Sequence, residues 1–130
     1  IGALLEGLPL RVRSSLDFPE LGEIEETGST FEENALIKAR ETALAVGCMA
    51  LADDSGLEVE ALAGRPGVMS ARYAGAQATD HDNVRRLLDE MEEIPAERRA
   101  ARFCCCIAVV DARGLPVGVV DLEPDTLPPV

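Results

Sequence analysis

The chain is short of positive charge. Against 24 aspartates and glutamates it has 12 lysines and arginines, a net charge of −12. Such a surface disfavours nonspecific binding to nucleic acid and to anionic membranes. An anionic substrate would need a local cationic patch or a bound metal. No apolar run approaches the ~20 residues that span a bilayer, and no low-complexity tract appears. With 47% apolar residues, the composition is that of a globular chain. His81 is the only histidine. Lacking a partner histidine, it reads as a surface residue rather than a metal ligand. No C-x-x-C spacing occurs among Cys48, Cys104, Cys105 and Cys106. Neighbours on a strand point to opposite faces, so the run 104–106 cannot converge on one metal. These thiols read as small apolar residues without disulfides, in a reducing cytoplasm. No secretory signal is visible, and the sequence opens on Ile1.

At 130 residues the chain reads as a single α/β domain, 1–130, long enough to bury a core. Ile1–Leu5 reads as the tail of a helix stopped by Gly7. Leu10–Val12 reads as a short strand, and Leu16–Glu26, with Pro19 and Gly22, as a loop. Ser29 or Thr30 can cap a helix, with Glu32 or Glu33 in the capping-box position. Its stripe is Phe31, Ala35, Ala39, Thr42 and Val46, and Gly47 ends it. A second helix starts at Thr79 or Asp80, turns Val84, Leu87, Leu88 and Met91 inward, and stops before Pro95. One more helical turn fits Pro95–Ala101. Arg102–Val110 and Leu115–Leu122 read as a hairpin joined through Asp111–Gly114. The proline-rich 123–130 should be irregular.

Chemistry concentrates at Ala50-Leu51-Ala52-Asp53-Asp54-Ser55-Gly56-Leu57. Cys48–Ala52 reads as a buried strand that ends on two carboxylates, a hydroxyl and a glycine. Leu57–Glu60 could form another strand. Open α/β sheets place ligands at the carboxyl ends of strands. Adjacent acids in a dry site call for a cation between them, and hard oxygen ligands favour Mg²⁺. Asp-Asp-Ser-Gly is equally a good turn. Lys38, one helical turn after Asn34, shares its face. It reads as a solvated lysine paired with Glu41 or Glu33, or as a cation at a site.

Three blocks bear on these alternatives. They are Glu25-Glu26-Thr27-Gly28-Ser29-Thr30-Phe31-Glu32-Glu33-Asn34-Ala35 with Lys38-Ala39, then Ala52-Asp53-Asp54-Ser55-Gly56-Leu57, then Gly64-Arg65-Pro66-Gly67-Val68 with Ser70-Ala71-Arg72-Tyr73. In this order and spacing, between Ile1 and about Val110, they closely resemble the inosine/xanthosine triphosphate pyrophosphatases. These enzymes hydrolyse non-standard purine nucleoside triphosphates such as ITP, dITP and XTP to the monophosphate and pyrophosphate. The resemblance implies an α/β fold: a curved mixed sheet flanked by helices, with a cleft between two lobes. It also implies a cytoplasmic homodimer that uses Mg²⁺. Asp54 matches the catalytic base and metal-linked carboxylate, Ser55 a substrate-contacting hydroxyl, and Lys38 a lysine facing the triphosphate. Glu26 or Glu25 matches the glutamate at the metal, with Glu26 preferred as the nearer to the helix. Asp53 would be a supporting carboxylate.

The family pattern also has a strand and a Thr-x-Asn-x-x-Lys phosphate loop, expected just before Ile1. Later it has Gly-Phe-Gly-Tyr-Asp-Pro and Ser-His-Arg segments that hold the base. None occurs here, and Val119–Val130 departs from the pattern. The expectation is an incomplete α/β domain without those segments, with little or no pyrophosphatase activity by itself. The alternative is an inactive remnant of the fold that only binds nucleotide or metal, or dimerises.

Overall fold

The computed structural model describes residues 2–122 and 126–127. Its first long element is helix α1, Phe31–Val46. Thr30 is the cap: its Oγ1 accepts from the Glu33 amide at 3.1 Å. The Glu33 carboxylate in turn accepts from the Ser29 amide at 2.6 Å and from the Ser29 hydroxyl at 3.0 Å. Ser29 and Thr30 thus divide the capping work between them, which satisfies amides the helix cannot pair internally. Gly47 ends the helix in a left-handed conformation.

The buried face of α1 is Asn34, Ala35, Ala39 and Ala43. Of the expected stripe, Ala35 and Ala39 are buried, while Phe31, Thr42 and Val46 are only partly so. Small side chains let α1 lie close against the sheet. There its alanines join Ala50, Cys106, Ala108 and Val110 in one buried cluster.

The sheet is built on β1 (Ala50–Val59), β2 (Ala101–Val110) and β3 (Pro116–Leu122), in the order β1-β2-β3. Each described pairing is antiparallel, so within the described residues the sheet is antiparallel rather than mixed. β2 and β3 form the expected hairpin. In its loop, Asp111 Oδ1 accepts from the amides of Arg113 and Leu115. The backbone of Thr126–Leu127 (β4) pairs with Ala101 and Arg102, a short regular pairing in a tail expected to be irregular. Residues 123–125 and 128–130 lie outside the described residues.

Two sequence expectations are corrected. Asp53-Asp54-Ser55-Gly56 neither ends a strand nor forms a turn, but runs through the middle of β1. Cys48–Ala52 and Leu57–Glu60 are not separate strands. The four residues lie opposite Ile107, Cys106, Cys105 and Cys104, and this pairing overrides their local turn preference. Leu10–Val12 is not a strand. No strand among the described residues pairs with it, and an unpaired strand leaves its backbone groups without ladder partners.

A second buried cluster collects Val59, Leu62, Tyr73, Leu87, Met91 and Ala101. Strand alternation puts Val59 and Leu57 on the face of β1 opposite to Asp54. Helix α2, Asp80–Met91, covers this side, capped reciprocally by Thr79 and Asp82. Its inward row is Asn83, Leu87 and Met91, whereas Val84 and Leu88 are 54% and 48% exposed. Asn83 shifts the row by tying α2 down: it accepts from the Ala74 amide at 2.8 Å and donates to the Ala71 carbonyl at 3.0 Å. Among the described residues no helix is long and apolar enough to cross a membrane.

Candidate active site

Strand alternation decides which acids meet. Asp54 faces α1 and is buried, while Asp53 and Ser55 are exposed on the opposite face. α1 carries Asn34 and Lys38 one turn apart along its buried side, and both reach Asp54. Lys38 Nζ lies 3.2 Å from Asp54 Oδ1 and Asn34 Nδ2 lies 3.2 Å from Oδ2. Lys38 Nζ also lies 3.2 Å from Glu26 Oε1. One ammonium therefore bridges two carboxylates brought together from a loop and a strand.

Glu26 has a second cation. Arg72 Nη1 lies 3.4 Å from its Oε2, and Nη2 donates to its backbone carbonyl at 3.3 Å. Arg72 ends the 3₁₀ helix Gly67–Arg72, which packs on the outer edge of β1. Ser70 Oγ accepts from the Leu57 amide at 2.9 Å and donates to the Gly67 carbonyl at 2.6 Å. Gly56 makes the fit possible. A Cβ there would collide with the Gly67 carbonyl and come 2.7 Å from Ser70 Oγ and 3.0 Å from the Phe31 ring.

The electrostatics follow from this arrangement. Burial pushes the Asp54 carboxyl above its usual range, and the neighbouring Glu26 adds to it, against the opposing pull of Lys38 and Asn34. Burial disfavours the Lys38 ammonium, but Asp54 and Glu26 outweigh it and hold Lys38 above the ordinary lysine value. The site thus contains a cation that stays charged and a carboxylate that takes a proton more readily than a free aspartate.

Of the residues singled out in the sequence, the structure gathers Asp54, Lys38 and Glu26. Lys38 pairs with neither Glu41 nor Glu33, so the solvated-lysine alternative is replaced. Glu25 is exposed and forms no ion pair among the described residues. Asp53 and Ser55 stand away from the cluster. The sequence reading missed Asn34 and Arg72 as parts of the site. The i, i+4 spacing of Asn34 and Lys38 was a usable signal, because a polar residue one turn from a site lysine shares its face. No local signal pairs Arg72 with Glu26. His81 is exposed. Cys104 and Cys106 share a face by alternation, with Cys105 on the other, and all four thiols are free.

Comparison with known proteins identifies the family. The Ham1 family model matches residues 1–121, which takes in Val119–Asp121, where the motifs had run out. The dITP/XTP pyrophosphatase of Geobacter sulfurreducens is 54% identical over 114 residues, covering 88% of this chain and 57% of that protein. The dITP/XTP pyrophosphatase of Geobacillus kaustophilus is 47% identical over 123 residues, covering 95% and 60%. Among solved structures, the nucleoside-triphosphatase (dITP/XTP pyrophosphatase) of Mycobacterium abscessus superposes with a TM-score of 0.79 at 45% identity, covering 93% of this chain and 63% of that one. The HAM1 protein of Coxiella burnetii gives 0.78 at 43%, covering 93% and 64%. The chain spans a little over half the length of the curated relatives it matches. By sequence and fold together, the chain belongs to the Ham1 family.

Proposed function

We propose that the protein carrying this chain is a pyrophosphatase for non-standard purine nucleoside triphosphates, releasing the monophosphate and pyrophosphate from dITP, ITP and XTP. The observation that carries this reading is the Lys38 ammonium set 3.2 Å from both Asp54 and Glu26. The names of the relatives at about 50% identity support the substrate class.

The roles follow from the donors and acceptors present. Asp54 is the catalytic base. Its raised pKa suits proton transfer near neutrality better than that of an exposed aspartate. It takes a proton from the water whose oxygen bonds to the α-phosphorus, while the bond from that phosphorus to the bridging oxygen breaks and pyrophosphate leaves. Lys38 supplies positive charge to the phosphates in a chain of net charge −12. Arg72 keeps Glu26 in place.

The residues present fit a divalent cation. Lys38 Nζ already marks a cation position shared by two carboxylates. Mg²⁺ typically takes one or two carboxylates and completes its shell with waters and substrate phosphates. Among the described residues no group of three or more acids, histidines or cysteines converges, so phosphate and water oxygens would supply the rest. Asp54 and Glu26 would hold the ion, which when bound neutralises charge developing on the phosphate oxygens. Ser55, on the other face of β1, would contact substrate there, with Asp53 as a supporting carboxylate. The family resemblance extends the proposal to a cytoplasmic homodimer.

The test is pyrophosphate release from ITP, dITP and XTP with Mg²⁺, with ATP and GTP as controls, using the protein that carries these residues. Preferential turnover of the inosine and xanthosine substrates is expected. Equal or faster turnover of ATP and GTP refutes the substrate class. Binding without turnover selects the nucleotide-binding remnant instead.

A further inference from the structure

We infer that Asn34 is a positioning residue, whose single buried amide fixes the Glu26-bearing loop against Asp54 and so sets the spacing of the two carboxylates. The inference rests on the pyrophosphatase reading for its catalytic consequence but on geometry for its substance.

Asn34 is completely buried. Its Oδ1 accepts from the Gly28 amide at 2.7 Å and its Nδ2 donates to Asp54 Oδ2 at 3.2 Å. The orientation of the amide is forced: a backbone N–H can only donate and a carboxylate only accept, so a flipped Asn34 satisfies neither. Gly28 stands two residues after Glu26, so the same side chain touches the loop that bears one acid and the carboxylate of the other. Asp54 has each oxygen committed to a different donor, Asn34 on Oδ2 and Lys38 on Oδ1. Both donors come from one rigid helix, one turn apart. Should Lys38 swing towards a phosphate, Asn34 would still hold Asp54.

The loop is fitted to this amide. A Cβ on Gly28 would come 2.6 Å from Asn34 Oδ1 and 2.7 Å from Glu33 Cβ. An aspartate at 34 would keep the bond from Gly28 but turn an oxygen on Asp54 where an N–H is needed. The two changes therefore break opposite ends of the latch.

The experiment uses N34D and G28A in the protein that carries this chain. Calorimetry measures Mg²⁺ and Mn²⁺ binding without nucleotide. Steady-state assays with ITP measure kcat and KM, and thermal unfolding reports the folded fraction. Removing a group that orients a metal-binding carboxylate typically costs 10–100-fold in metal affinity or activity. Ion affinity and kcat should each fall by about 10–100-fold in both variants, with KM for ITP within about threefold. If both fold and keep affinity and kcat within about threefold of the parent, the inference is overturned, whatever happens to Tm. If N34D does not fold, G28A decides alone, since it removes no buried polar group. A parent that binds the ion but turns over no ITP or XTP would sink the functional reading. Weakened ion binding in the variants would still uphold the role of Asn34.

Discussion

Replacing Asp54 by asparagine separates what the site does from what it costs the fold. Lys38 Nζ lies 3.2 Å from Asp54 Oδ1. At an effective dielectric of ~20, such a pair has a gross attraction of about 5 kcal/mol. Burial opposes it and prevails, because the Asp54 carboxyl sits above its ordinary pKa. The folded state therefore binds this proton more tightly than the unfolded chain does. The contribution of Asp54 to stability rises as pH falls from neutrality through the folded pKa towards the unfolded one. At pH 7 a neutral amide escapes the burial penalty. It also has one acceptor for two donors, so either Lys38 or Asn34 loses its partner, at about 1–3 kcal/mol. The effects oppose each other, and D54N should lie within about 2 kcal/mol of the parent, less than about 10 °C in Tm. Catalysis has no such compensation: losing a general base costs ~10²–10⁴ in kcat, or about 3–5 kcal/mol of barrier. Pyrophosphate release from ITP and thermal unfolding, on the same preparation, give both numbers. A variant keeping more than about a tenth of the rate refutes the base role. One that loses more than about 3 kcal/mol of stability refutes the electrostatic argument, since it would show that the Lys38 pairing, not burial, dominates.

K38A leaves the Glu26 and Asp54 carboxylates without their shared cation. We expect a loss of about 1–3 kcal/mol in denaturant titrations, slightly offset by the helix propensity of alanine, together with a fall of at least ~10² in kcat/KM; unchanged kinetics would leave Lys38 a purely structural ion-pair partner. G56A pushes a methyl into the Gly67 carbonyl and Ser70 Oγ, which cannot both yield. It should cost about 2 kcal/mol or more by thermal or urea unfolding, and a neutral result would mean that the 3₁₀ helix is free to move off β1. Burial, then Asp121, pushes the Cys106 thiol up to about 12. At pH 8 its thiolate fraction is about 10⁻⁴, so a chromogenic disulfide should label exposed Cys48 quickly and Cys106 only after unfolding. Equal native rates would contradict the packing of β2 against α1.

Local signals were legible wherever a residue's neighbours in sequence are also its neighbours in space. Thr30 and Thr79 cap helices because the groups they satisfy lie three residues on. Asn34 and Lys38 share a face because four residues make one turn. The β2–β3 hairpin closes through a five-residue loop whose own aspartate ties it. The three motif blocks marked the family, and with it Asp54, Lys38 and Glu26. Tertiary structure decided the rest. Asp53-Asp54-Ser55-Gly56 has the composition of a turn, and only the facing residues Cys104–Ile107 hold it in a strand. That strand then sorts its side chains, sending Asp54 to α1 and Asp53 and Ser55 to the other face. Glu26 is distinguished from Glu25 by Arg72, 46 residues away in sequence. Asn34 becomes part of the site because burial leaves its amide only Gly28 and Asp54 to bond. Period and capping act within a turn of chain, but strand pairing and the sharing of a charge are settled by residues far apart in sequence, and local propensities are too weak to oppose them.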